Sequence, residues 1–233
     1  MPHSLPMRRA WRVRRTDRVS FRDRIHAGRA LGERLRGEQL VDPVVFGLPR
    51  GGVAVAAGVA EALDAPLDII VARKLGVPWQ PELAFGAVAP GVVALRDDVI
   101  AAAGLRRPEI EAAAARESAK LADLERAYRG DVPPVPLRGR TAIIVDDGLA
   151  TGATATAAAR SARREDPARV IVAVPVCAAQ TAVTLRREVD DVVCLGEYED
   201  FHAVGLYYED FAPVPDAEVR ELIARSRHAP LGR

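Results

Sequence analysis

The sequence predicts an α/β protein, an open and mostly parallel sheet flanked by helices. Two observations carry that prediction. The expected strands, among them Pro43 to Leu48, Thr141 to Val145 and Arg169 to Val176, are continuous runs rich in Val and Ile rather than alternating ones. Such runs suit strands covered on both faces. They also alternate with helical stretches, the order that winds a parallel sheet. A third observation points to a site. Two Gly-rich turns each follow a strand and precede a helix, and ligands of open α/β sheets bind beyond the carboxyl ends of the strands.

In chain order, Ser20-Phe21-Arg22-Asp23 has the form of a capping box with Asp in place of Glu. Phe21, Ile25, Leu31 and Leu35 then recur at helical spacing, and Gly37 can end that helix. After the strand from Pro43 to Leu48, Pro49-Arg50-Gly51-Gly52 forms a turn, and an Ala/Val-rich helix runs to about Leu63. Leu67 to Ala72 reads as a second strand. Gly76 to Pro90 shows no clear periodicity and holds Pro78, Pro81, Gly86 and Pro90, so it reads as a long, mobile loop. Val92 to Leu95 is a short strand. Arg107 to Arg129 is a helix with Pro108 early and Gly130 after it. A Pro-rich connector, Asp131 to Gly139, leads to the strand Thr141 to Val145, a loop, and a helix from about Ala153 to Arg164. Arg169 to Val176 is a strand, Ala179 to Glu188 a helix and Asp191 to Leu195 a strand. An aromatic stretch, Tyr198 to Phe211, precedes a last helix from about Asp216 to Arg227.

Composition excludes several classes. The formal net charge is +1, so no global field argues for nucleic acid. No apolar run approaches the ~20 residues of a membrane span. Cys177 and Cys194 each sit inside an apolar run without metal-ligand spacing, which suits free buried thiols in a reducing, cytoplasmic setting. His3, His26, His202 and His228 are scattered. The first stretch crowds Arg8, Arg9, Arg12, Arg14, Arg15, Arg18, Arg22 and Arg24 against Asp17 and Asp23. It reads as a solvated tail; a nucleic-acid arm or targeting peptide is the competing reading, without the aromatic interleaving of a stacking surface.

The chemistry concentrates in Val145-Asp146-Asp147-Gly148-Leu149-Ala150-Thr151-Gly152-Ala153-Thr154. Gly148, Ala150, Gly152 and Ala153 carry little or no side chain, so backbone can approach a ligand. The stretch runs into a helix N-terminus whose unpaired N–H groups favour an anion. Thr151 and Thr154 add hydroxyls. This describes a cradle for a phosphate monoester. Asp146 and Asp147 do not attract phosphate; they accept hydrogen bonds from vicinal hydroxyls and can hold the waters of a Mg²⁺ ion. Ribose 5-phosphate satisfies both halves. Other phosphate motifs fail: Gly47 and Gly52 have P-loop spacing, but Val53 stands where lysine belongs.

The run Ile143 to Thr154 resembles the phosphoribosyl pyrophosphate (PRPP) motif of type I phosphoribosyltransferases, and the order of elements resembles that family over residues 20–212. The resemblance implies that Asp146 and Asp147 bind the ribose hydroxyls, with Mg²⁺ held through water, and that the loop to Thr154 binds the 5′-phosphate. It implies that Leu48-Pro49-Arg50-Gly51-Gly52 is the pyrophosphate loop, with a cis peptide near Arg50-Gly51. It places residues 73–90 at the family's flexible catalytic loop, where Arg73 and Lys74 would act on the pyrophosphate beside Asp146 and Asp147; Glu82 reads equally well as a solvated loop acid. Tyr198 to Tyr208 would form a hood, built from C-terminal and N-terminal segments, with Phe201, Tyr207 or Tyr208 stacking on the acceptor. The implied organisation is a basic tail (1–19), a phosphoribosyltransferase-like domain (20–212) and a C-terminal helix packed on it (213–233). The implied activity is Mg²⁺-dependent transfer from PRPP to a small-molecule acceptor, in a cytoplasmic homodimer without membrane or nucleic-acid partners. The acceptor is not legible, and a non-catalytic PRPP- or nucleotide-binding regulator is the alternative.

Overall fold

The computed structural model describes residues 19–228; the basic stretch 1–18 lies outside them. The chain runs α1 (Arg24–Leu35), β1 (Val44–Gly47), α2 (Gly51–Leu63), β2 (Leu67–Ile69), β3 (Arg73–Val77), β4 (Gln80–Ala89), β5 (Val92–Leu95), α3 (Asp97–Ala103), α4 (Arg107–Arg129), β6 (Thr141–Val145), α5 (Ala153–Arg163), β7 (Arg169–Ala178), α6 (Ala179–Leu185), β8 (Asp191–Tyr198), a 3₁₀ turn (Val204–Tyr207) and α7 (Asp216–His228).

Five strands make a parallel sheet in the order β2-β1-β6-β7-β8. The continuous apolar runs are explained by burial on both faces. Val44, Phe46, Ile144 and Val172 pack with α5 and α6, while Val45, Ile143, Val145 and Ile171 pack with α1 and α2. Each such side chain contributes roughly 1.5–3 kcal/mol when fully buried. From β1 the chain winds outward to β2, and from β6 it winds the other way to β7. The crevice at the carboxyl ends of β1 and β6 is therefore the topological switch point. Leu48 N–H donates to Val145 O at 2.9 Å and closes the two strands together there.

The expected loop at 76–90 is a correction. Residues 73–95 form a second sheet, antiparallel and three-stranded, in the order β3-β4-β5. The glycines that read as loop signals serve close backbone approach instead. A Cβ on Gly76 would stand 2.5 Å from Pro81 O, and one on Gly86 would stand 2.4 Å from Ala94 O. A register shift around Gly76 breaks the alternation that would have revealed the strands. This arm has its own core, in which Leu75, Val77, Phe85 and Val88 meet Val53, Leu121, Tyr128, Val219 and Ile223 from α2, α4 and α7.

α4 spans the predicted residues, with Pro108 in its first turn and Gly130 (φ 66°) beyond its end. Its last turn is anchored by a fully buried carboxylate. Asp68 on β2 accepts from Arg129 Nε at 3.1 Å, Ile69 N at 2.8 Å and Val135 N at 2.9 Å. α1 starts later than its predicted box. Asp23 is the cap, accepting from His26 N at 2.7 Å, because Phe21 is drawn into a parallel bridge with Tyr208. α3 has no counterpart in the sequence reading; β7 and β8 run two and three residues further than expected, and α6 ends three earlier. Cys177 is buried and Cys194 half-buried, both free, with their sulfurs 2.8 Å apart. Among the described residues no helix is long and apolar enough to cross a membrane.

Candidate active site

β6 is buried throughout and delivers Asp146 and Asp147 to the switch-point crevice. The loop behind them is fixed from beneath. Leu149, buried, exchanges backbone hydrogen bonds with β7: its N–H donates to Val176 O at 3.0 Å, and Ala178 N–H donates to Leu149 O at 2.9 Å. Thr181 Oγ1 donates to Ala150 O at 2.6 Å. Gly152 takes φ 71° at the start of α5, and no side chain caps that helix. Its first N–H groups thus remain for a ligand. Thr151 is exposed and Thr154 half-buried along this rim.

The turn after β1 meets the acid pair. A Cβ on Gly52 would stand 3.1 Å from Asp146 Oδ1, and one on Gly51 would stand 2.0 Å from Asp147 Oδ2. Asp146 Oδ1 accepts from Asp147 N at 2.9 Å. Burial pushes the Asp146 carboxyl well above the usual carboxylate range, and the charge of Asp147 adds to this. Burial also raises Asp147, against the opposing pull of Arg24 and Lys74. Arg24 Nε lies 2.9 Å from Asp147 Oδ2. The Tyr208 hydroxyl donates to Asp147 O at 2.7 Å; burial, and then the Asp147 charge, push its pKa far up, so it stays a donor.

The predicted cations are distributed unevenly. Lys74 is exposed, and its charge acts on both aspartates. Arg73 is turned to Glu117 on α4, which also takes Lys120 Nζ at 2.7 Å. Arg50 Nη1 lies 3.8 Å from Asp216 Oδ1 at the start of α7, and Tyr128 Oη donates to the same oxygen at 2.8 Å. The cis peptide is Pro49-Arg50, one bond before the expected one.

The hood joins both chain ends, with Phe21, Tyr207 and Tyr208 in one apolar cluster. Stacking of Tyr207 on an acceptor is a correction. Its ring is 2% exposed and is stacked with Tyr198 (4.7 Å, 26°) and Phe201 (5.5 Å, 15°), so no face is open. Phe201 is half-buried and keeps access. Sequence reasoning misses Arg24, Glu117 and Asp216 as partners of site residues. Arg24 is hidden among eight N-terminal arginines, and its contact with Asp147 spans 123 positions. The sequence marks Tyr208 only as a stacking ring.

Comparison with known proteins gives the class. A family model described as the phosphoribosyl transferase domain matches residues 130–211, the span holding β6, the acid pair, the loop and most of the hood. A Mycobacterium tuberculosis protein provisionally named a phosphoribosyl transferase, in strains H37Rv and CDC 1551, is 44% identical over 207 residues, covering 88% of this chain and 47% of that protein. The chain thus spans about half the length of the curated relatives it matches. The crystal structure of TT1426 from Thermus thermophilus is 41% identical with a TM-score of 0.76, covering 89% of this chain and 99% of that one. The chain belongs to the type I phosphoribosyltransferase family.

Proposed function

We propose that this protein transfers the ribose 5-phosphate of PRPP to a small-molecule acceptor, a nucleobase being the leading class, and releases pyrophosphate. One observation carries the reading: the acid pair of β6 abuts the Gly51–Gly52 turn of β1 beside an uncapped helix start. The 5′-phosphate sits on Thr151 to Thr154, where the N–H groups of α5 and two hydroxyls meet it. Gly148, Ala150, Gly152 and Ala153 keep that cradle open to backbone contact. Asp146 and Asp147 accept from the ribose hydroxyls.

The pyrophosphate lies over Gly51 within reach of Arg50 and Lys74, and of Arg73 once it leaves Glu117. As the bond from the anomeric carbon to pyrophosphate breaks, its electron pair leaves with the pyrophosphate. A nitrogen or oxygen of the acceptor donates the pair of the new bond and loses its proton. The ribose ring gathers positive charge between these events, and the two carboxylates stabilise it electrostatically. Positioning of the two reactants supplies much of the remainder. Phe201 is the acceptor's stacking contact.

The donor set fits Mg²⁺. Two adjacent carboxylates, Asp146 and Asp147, would hold its waters. The ion supplies charge neutralisation on the leaving pyrophosphate. We take residues 20–212 as the transferase unit with α7 (Asp216–His228) packed on it, and a cytoplasmic homodimer as its working form.

The test is calorimetric titration of PRPP with and without Mg²⁺ into wild type and an Asp146→Asn/Asp147→Asn variant. Mg²⁺-dependent binding lost in the variant supports the site; no binding by the wild type sinks it. A non-catalytic regulator is the second reading, favoured by Arg73 and Arg50 being engaged by acids of the protein itself. Pyrophosphate release during an acceptor screen separates the two.

A further inference from the structure

Arg24 opens α1 at a point where four parts of the molecule meet. Its Nε lies 2.9 Å from Asp147 Oδ2. Its Nη1 donates to Ala212 O at 2.8 Å, and its guanidinium stands 3.8 Å over the ring of Phe211. The two charged side chains are 11% and 18% exposed, so the pair is shielded and its geometry matters more than that of a surface pair. Stacking on one side and hydrogen bonds on the edges fix the guanidinium plane.

Gly51 makes room for this pair. A Cβ there would fall 2.0 Å from Asp147 Oδ2 and 2.9 Å from Arg24 Nε. The start of α1 is held at this depth by backbone contact with α2, since a Cβ on Gly28 would stand 2.1 Å from Val55 O and one on Gly58 2.5 Å from Ile25 O. Two of the expected site cations face other acids instead: Arg73 faces Glu117 and Arg50 faces Asp216.

We propose that Arg24 is the positioning residue of this site: it aims the Asp147 carboxylate across Gly51 towards the ribose and ties that carboxylate to the hood at Phe211 and Ala212. This rests on the reading of the crevice as a PRPP site. Arg24 touches no reacting atom. It acts through Asp147, and it makes occupancy of the ribose site depend on the packing of α1 and of the hood.

Two measurements test it. Crystal structures of free wild type and Arg24→Gln examine the placement without any ligand. The Asp147 carboxylate should leave its position against Gly51 in the variant, and an unchanged position would overturn the proposal. Calorimetry of PRPP with Mg²⁺ examines the consequence. Arg24→Gln should weaken binding by about tenfold to a hundredfold, the span of a lost charge-assisted contact. Arg24→Lys should recover only part of this, because lysine keeps the charge and loses the planar fork. Arg29→Gln, exposed on the same helix and paired with Glu61, should match wild type. Equal affinity in wild type and Arg24→Gln overturns the proposal and leaves the phosphoribosyl reading standing. If Arg24→Gln does not fold, wild-type affinity in Arg24→Lys overturns it. Failure of the wild type to bind PRPP removes the reading itself, and the crystallographic pair still decides whether Arg24 sets Asp147.

Discussion

The parallel sheet and the antiparallel arm are built from similar apolar residues, yet the sheet's five strands were legible and the arm's only at β5, the expected strand Val92–Leu95. Every residue of β6 is buried, so its composition alone declares a central strand. β4 runs from exposed at Gln80, Pro81 and Glu82 to buried from Ala84 onward. No single period describes a strand that begins in solvent and ends in a core. The contrast teaches that glycine and proline report loops only where they leave the backbone free. In the arm they let one strand press against the next.

The largest expected effect tests whether the arm is a true layer. Phe85→Ala should destabilise by about 3–5 kcal/mol in denaturant unfolding, as in any well-packed core. A cost below about 1 kcal/mol would return residues 76–90 to the loop status that the sequence suggested. Next, Arg129→Ala removes the cation from a fully buried Asp68, and loss of about 3 kcal/mol is expected when a buried carboxylate loses its charged partner. A neutral result would mean that α4 is not anchored to β2 by this pair. On the sheet side, Asp147→Asn should weaken PRPP binding about a hundredfold, near 2.7 kcal/mol, while unfolding shifts far less. Matching losses in both would make Asp147 a structural residue.

Asp146→Asn should behave differently. Its folded-state pKa is raised, by burial first and by Asp147 second. That contribution to stability is present below the ordinary carboxylate pKa and fades as pH rises through the raised value. The variant should therefore gain melting temperature relative to wild type as pH goes from acid to neutral, and lose PRPP. A gain that shrinks with rising pH would contradict the assignment. The smallest effect belongs to Trp79, 62% exposed at the β3–β4 turn, where alanine should cost within about 0.5 kcal/mol.

Legibility followed the range of the information. The loop from Asp146 to Thr154 carries its meaning within a short unbroken run of residues, so the site could be named from them. The partners of that loop are scattered. Arg24 arrives from α1 and Tyr208 from beyond β8, and neither has a local pattern that marks it. The cis bond fell at Pro49-Arg50 instead of the next peptide, a distinction no spacing rule makes. Tyr207 offers an aromatic ring to a reader of the sequence, and its burial is set by Tyr198 and Phe201, which stack on it.

Phe21 N–H donates to Tyr207 O at 2.9 Å, and Glu209 N–H donates to Phe21 O at 2.8 Å. During translation, the first of these partners leaves the ribosome almost a whole domain ahead of the second. Arg24 and Asp147 are both synthesised before Tyr208 and Phe211, so their pair gains its hood contacts only when those residues emerge. A chain halted between residues 154 and 207 would own the loop of Asp146 to Thr154 without the contacts that Tyr208 and Phe211 bring to it.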